Sequence, residues 1–248
     1  MTWQFISESE LVPYRALAPL PVQRLLVLAP HPDDEVFGVG GTLARAAEQG
    51  CQSCVVIATD GGAGGDAAVR ERESRAAAAV LGYGTHAQAL QFWRLPDRGL
   101  HPDAALVQRV RTLLQALQAQ WLLAPSPFEV HPDHRAACRA AIDAVVGTDC
   151  ELVFYEVGQA LMPNALVDIT PVLARKREAM ACFASQLGVQ RYDEQVLALN
   201  RYRAYTLGAA VTHAEALWRV GPLPRAGAAA LPVWVRQQLA QRLGVDGV

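Results

Sequence analysis

The chain has 248 residues, 52% of them hydrophobic and 19% charged, with a formal net charge of −2. Such a composition excludes the polar, highly charged profile of disordered chains and leaves no cationic excess to neutralise a phosphate backbone, so nucleic acid is not an expected partner. At this length a single α/β domain around one sheet is expected.

Short apolar runs rich in β-formers alternate with longer helical stretches, the pattern of βαβ units and a parallel sheet. The first predicted strand, Arg24 to Ala29, stops at Pro30, and a helix is predicted from Val39 to Gln49, closed by Gly50. A second strand follows over Ser53 to Thr59, then a helix over Ala68 to Leu81 ended by Gly82, and a third strand over Ala89 to Leu95 broken by Pro96. An amphipathic helix over Asp103 to Ala119 leads to a buried strand at Trp121 to Ala124. Another helix is predicted from His131 to Val146, with strands at Leu152 to Val157 and Leu166 to Ile169. From Pro171 the pattern turns helical through Leu187, then polar and Ala-rich, with a short amphipathic helix at Pro232 to Leu243. The fold class is therefore a Rossmann-like, mostly parallel sheet flanked by helices, with a core over about residues 24–187 and a C-terminal helical extension over about 188–248 packed on the sheet.

The opening MTWQFISESELVPY lacks a basic stretch followed by an apolar one, and nowhere do about 18 uncharged apolar residues run together, so no membrane span is expected. Cys51, Cys54, Cys138, Cys150 and Cys182 are odd in number and scattered, which fits a reducing, cytoplasmic compartment better than a disulfide framework. Cys51 and Cys54 have CxxC spacing, but they open an apolar strand and no second pair completes a zinc site, so packing is the expected role.

In open parallel sheets ligands bind beyond the carboxyl ends of the strands. Three such ends carry polar groups: His31-Pro-Asp-Asp-Glu35, Asp60-Gly-Gly-Ala-Gly-Gly-Asp66 and Pro127-Phe-Glu-Val-His131-Pro-Asp-His134. His31 and Asp34 are three residues apart, and His131 and His134 repeat the spacing about a hundred residues later. A catalytic zinc takes three imidazole or carboxylate ligands at about 2.0–2.2 Å and keeps a place for water. His31, Asp34 and His134 make such a set. Asp33 and His131 are then left as group types suited to a base and an oxyanion donor. Helix capping by Asp33 or Asp34 is the competing explanation, and His101-Pro-Asp103, with no acid or histidine after it, is read as a cap alone. The glycine loop Gly61–Gly65 lacks both GxGxxG and GxxxxGK[ST], so it is read as a substrate-side loop or plain connection rather than a phosphate cradle.

The combination of Ala29-Pro-His31-Pro-Asp33-Asp34-Glu35, Gly40-Gly41-Thr42-Leu43, Thr59-Asp60-Gly61 and His131-Pro-Asp-His134 resembles the PIG-L/LmbE family of zinc-dependent N-acetyl-sugar deacetylases. Val167-Asp-Ile-Thr170, Lys176, Ser185-Gln186, Tyr202-Arg203 and Ala214-Glu215 extend the resemblance over about residues 24–218. It implies that His31, Asp34 and His134 bind Zn²⁺, with Fe²⁺ as an alternative, and that Asp33 is the general base. It further implies that His131 stabilises the oxyanion, that Asp133 fixes the tautomer of His131, and that Arg70 binds substrate. The implied substrate is an N-acetylated amino sugar or conjugate, and assembly into homo-oligomers would be in keeping with the family. A zinc amidase for a non-sugar amide or thiol conjugate, and a non-catalytic sugar- or nucleotide-binding module, are the competing readings. The sequence departs from the family in the glycine-rich character of residues 61–65, in Pro30 before His31, and in Phe183 before Ser185-Gln186.

Overall fold

In the computed structural model, residues 7–83 and 89–223 are described, together with 233, 236 and 237. A single turn α1 (Glu8–Leu11) precedes the sheet. The chain then runs β1 (Arg24–Ala29), α2 (Asp34–Glu48), β2 (Gln52–Thr59), α3 (Ala67–Leu81), β3 (Leu90–Leu95), α4 (Ala104–Leu117), β4 (Trp121–Pro125), α5 (Pro132–Val145), β5 (Glu151–Tyr155) and β6 (Ala165–Asp168). It finishes with α6 (Leu173–Ala181), α7 (Ala184–Leu187), α8 (Tyr192–Arg203) and β7 (Ala214–Pro222). The predicted helix at Pro232 to Leu243 lies largely outside the described residues.

The seven strands are ordered β3-β2-β1-β4-β5-β7-β6. The first five pair in parallel, and β7 is antiparallel to both β5 and β6. Side chains alternate across a strand, so β1 sends Leu26 and Leu28 to a core shared with α5 and sends Leu25, Val27 and Ala29 to a core shared with α2 and α6. Burial on both faces explains why the strands read as continuous apolar runs.

Two features differ from the sequence reading. The 188–248 segment is more than a helical extension laid on the sheet, because β7 runs inside it between β5 and β6, paired with β5 from Tyr155↔Leu217 to Glu151↔Pro222 with a register shift between Val153 and Leu152. The long helix expected from Pro171 to Leu187 is broken into α6 and α7 around Cys182 and Phe183, the latter fully buried with its ring against Phe37. Pulling Phe183 into the core turns the chain there, and Ser185 docks on α3 through Glu73, its N–H and hydroxyl donating at 2.9 and 2.6 Å.

Helix α2 carries the first motif and has a non-helical residue, Val39 (φ −132°), near its middle. Below this break Glu215 of β7 accepts from the backbone N–H groups of Gly41 and Thr42 at 2.7 and 2.6 Å and from the Thr42 hydroxyl at 2.6 Å. Lys176 of α6 donates to the same carboxylate at 2.6 Å, to Asn200 and to the Phe37 carbonyl. The buried pair thus caps the second half of α2 and sets the depth of its first half. The approach is close: a Cβ on Gly41 would lie 2.4 Å from Ile169, and one on Gly38 2.6 Å from the Tyr155 ring.

Candidate active site

Strand order reverses between β1 and β4, and the loops leaving their carboxyl ends therefore part to opposite faces and open a crevice. His31, Asp33 and Asp34 come from the β1 end, and Glu129, His131 and His134 from the β4 end. Together with Asp97 beyond β3 and Val157 and Gly158 beyond β5, they line a cavity of about 610 Å³. Asp133 lies buried behind this lining.

His31 Nδ1, His134 Nε2 and Asp34 Oδ2 converge. The two nitrogens are 3.3 Å apart, and the carboxylate oxygen is 3.2 Å from each. A tetrahedral ion with ligand distances of about 2.0–2.1 Å holds neighbouring ligand atoms about 3.3 Å apart, so the triangle has the edge such an ion requires. The outer nitrogens are directed to carboxylates: His31 Nε2 to Asp133 Oδ2 at 3.0 Å and Asp97 Oδ1 at 3.2 Å, His134 Nδ1 to Glu129 Oε2 at 3.2 Å. Imidazoles whose outer N–H groups face carboxylates turn their inner lone pairs toward each other, which is the arrangement of metal-bound histidine. Among the described residues His131 also brings a ring nitrogen within 4.8 Å of those of His31 and His134, and a second grouping of His31, Asp97, His131 and Asp133 overlaps the first. The donor set therefore fits a divalent cation.

The electrostatics point the same way. Burial, the largest influence, works against charging His31, yet its bonds to Asp133, Asp34 and Asp97 push it up to about 12. Burial likewise opposes charge on His134, but Asp34 and Glu129 raise it to about 9. Asp34 is buried, which favours its neutral form, yet His134 and His31 hold it well below the usual carboxylate range. Without an ion the cluster attracts protons where a cation would neutralise it.

Asp33 stands apart from this triangle. Its backbone has φ 130°, a conformation L residues rarely adopt, and is held by Glu35 Oε2 accepting from its N–H at 3.0 Å. Burial and the neighbouring Asp34 charge raise its carboxyl above the ordinary range, with Arg70 and the two histidines opposing. Arg70 donates to Asp33 Oδ2 at 2.9 Å, to the Pro32 carbonyl at 2.7 Å and to the Gly61 carbonyl at 2.9 Å. The family resemblance implies that Arg70 contacts substrate directly; it lines the cavity, but its Nη groups are engaged in holding Asp33 and two loop carbonyls.

His131 is the N-cap residue of α5, and its Nδ1 accepts from the backbone N–H of Asp133 at 3.2 Å. Burial and the adjacent histidines lower its pKa, so the ring is neutral near pH 7 and carries its proton on Nε2. Here the structure corrects one expectation. The Asp133 carboxylate does not orient His131; it accepts from Arg98 and Leu100 N–H groups and pairs with His31. The tautomer of His131 is set by the Asp133 backbone instead, because N-cap geometry turns the ring over the helix start.

Two contributors escape sequence reasoning. Asp97 bridges His31 and the Ala63 N–H of the glycine loop, and Glu129 gathers the N–H groups of Val157, Gly158 and Gln159 as well as His134. Gln186, part of the Ser185-Gln186 signature, donates to the Gly64 carbonyl. An Asp two residues past the third strand is the visible signal for Asp97. Glu129 carries none beyond its place in the loop before His131.

A parallel α/β sheet with a histidine–carboxylate centre at its topological switch point defines a Rossmann-like protein with a metal-competent catalytic crevice. Residues 26–145 match the PIG-L family, described as GlcNAc-PI de-N-acetylase. Among curated relatives, the chain is 28% identical to the diacetylchitobiose deacetylase of Thermococcus kodakarensis, over 66% of this chain and 70% of that protein. It is 25% identical to the 4-oxalmesaconate hydratase of Pseudomonas putida, over 82% of this chain and 91% of that protein. Among solved structures, a conserved protein of Thermus thermophilus superposes with a TM-score of 0.71 at 29% identity, covering 82% of this chain and 96% of that one. Among the described residues no helix is long and apolar enough to cross a membrane.

Proposed function

We propose that the protein is a metal-dependent N-deacetylase acting on an N-acetylglucosamine-type sugar or sugar conjugate. The supporting observation is the triangle of His31 Nδ1, His134 Nε2 and Asp34 Oδ2 at 3.2–3.3 Å, with both outer imidazole nitrogens on carboxylates. These three residues would hold the ion, Zn²⁺ by the nature of the ligands, with Fe²⁺ accepted by the same set. When bound, such an ion supplies a water of pKa about 7 and polarises a carbonyl oxygen.

The chain's own groups do the rest. Asp33, raised by burial and fixed through Oδ2 by Arg70, has no partner for Oδ1 among the described residues, so that oxygen is available to take a proton from water and deliver it to the departing nitrogen. His131 donates from Nε2 toward the carbonyl oxygen as negative charge develops there, and a donor in this role contributes about 10²–10³ in kcat. Asp133 and Asp97 orient His31, and Glu129 orients His134. None of the five cysteines forms a disulfide, which fits a reducing compartment, and we place the protein in the cytoplasm.

The hydratase relative favours a second reading, water addition to an unsaturated carboxylate. Such a substrate would bring negative charge into a cavity lined by Asp33, Asp34, Asp97 and Glu129, where Arg70 is committed to Asp33 and Arg98 is the other guanidinium on the lining, so amide hydrolysis is preferred. Metal analysis and acetate release test the assignment. The His134→Ala variant is expected to lose the ion, and His131→Ala to keep it while kcat falls about 10²–10³-fold. Loss of metal from His131→Ala would make His131 a ligand, and absence of acetate release from every N-acetyl sugar by the metal-loaded protein would refute deacetylation.

A further inference from the structure

We propose that the amine portion of the substrate carries an apolar aglycone, seated on a wall formed by Phe37 of α2 and Tyr192, Val196 and Leu199 of α8. This rests on the deacetylase reading and narrows its substrate class. The cavity lining includes, besides the ionisable cluster, these four side chains.

The residues Tyr192, Val196 and Leu199 recur at i, i+4 and i+7 and so form one apolar stripe. On a helix closing a core that stripe is buried, but here it faces the cavity, with Val196 and Leu199 half-buried and Tyr192 39% exposed. The wall is backed by the core: the Phe37 ring stands 6.2 Å from Tyr192 and 5.7 Å from Phe183. Val130, 61% exposed beside His131, is a further apolar side chain on the cavity.

An unsubstituted hexosamine carries hydroxyls around its ring, and each loses water on entering a pocket and needs a polar partner there. Of these four side chains only the Tyr192 hydroxyl can pair, and Gln195 beside them on α8 is the other polar group that helix brings to the cavity. A carbon chain or aromatic ring would gain from the same surface. Because an acetyl group has a single methyl to bury, the apolar mass belongs on the amine side of the amide.

The experiment compares acetate release from the methyl, butyl and hexyl glycosides of N-acetylglucosamine by the metal-loaded protein. The expected result is a rise in kcat/KM of about two- to fourfold per methylene, that of a partly to fully buried CH₂, with the slope flattened in Val196→Asn and Leu199→Asn. Calorimetric binding of hexyl and methyl glucosides to the wild-type protein gives the same comparison independently of how the variants fold, and a tighter hexyl glucoside is expected. No acetate from any glycoside refutes the activity and this proposal with it. Equal efficiency for methyl and hexyl glycosides, equal binding of the two glucosides, or a length dependence seen only in an N-acyl series overturns the aglycone seat while the hydrolase reading stands.

Discussion

Glu129 shows how much of the site depends on residues that act through another side chain. Its carboxylate is buried, collects three consecutive backbone N–H groups from the loop after β5 and takes the outer nitrogen of His134. Replacing it by Ala frees that imidazole to rotate and removes the carboxylate that strengthens its inner lone pair, so metal affinity is expected to fall about 10–100-fold, as measured by competition with a chromogenic chelator. The protonation behaviour of the ion-free cluster leads to a second expectation. His134, raised to about 9, contributes stability that is fully present below its unfolded value of 6.5 and lost as pH climbs through 9. Glu35, pushed up to about 8 by burial, adds a penalty that grows as pH rises between 4.5 and 8, so it acts in the same direction. Chelator-treated protein should therefore melt at progressively lower temperature between pH 6.5 and 9, while its affinity for Zn²⁺ rises because fewer protons compete. A flat or rising melting temperature over that interval would contradict the assignment.

At the level of elements, α2 matters most, because its first turn presents Asp34 and its start is the strained Asp33. The break at Val39 leaves the N–H groups of Gly41 and Thr42 without helical acceptors, and the Glu215 carboxylate, paired with Lys176, satisfies both. Removing one member leaves the other charged and buried. The Glu215→Ala variant is expected to lose about 3–5 kcal/mol in urea unfolding, a loss too large for an exposed ion pair. The Lys176 and Ala214-Glu215 signatures are thereby explained: they act on the site through the placement of a helix. Ser185 and Gln186 work similarly, tying α7 to Glu73 of α3 and to the Gly64 carbonyl, so the glycine-rich loop is pinned from two sides where composition alone suggests freedom.

For the whole molecule, the sheet is completed by a strand from the end of the described chain, and β7 joins β5 to β6 while carrying Glu215 to α2. Ending the chain at His213 would leave the β7-facing edges of β5 and β6 unpaired and Lys176 without its carboxylate. Such a truncation is expected to be insoluble or to unfold without cooperativity, as followed by circular dichroism. The parallel half of the sheet was legible in the sequence, since Arg24 to Ala29, Trp121 to Ala124 and the intervening helices bury one or both faces and periodicity records burial. The ligand candidates were legible as well, because His31-Pro-Asp-Asp and His131-Pro-Asp-His place several ionisable groups within one turn at strand ends. Strand β7 was not, because Ala214-Glu-Ala-Leu consists of good helix formers, and only the open edges of β5 and β6 make it extended. Nor were the duties of Asp97, Glu129, Asp133 and Arg70, most of which are contacts across about 28–102 residues of chain or between backbone and side chain. The Glu129–His134 contact spans five residues of one loop whose shape spacing alone does not give. Local spacing thus determined which groups gather and on what kind of fold. Which carboxylates orient His31, and what Arg70 holds, was decided by packing, since those pairings exist only once the strand ends lie side by side.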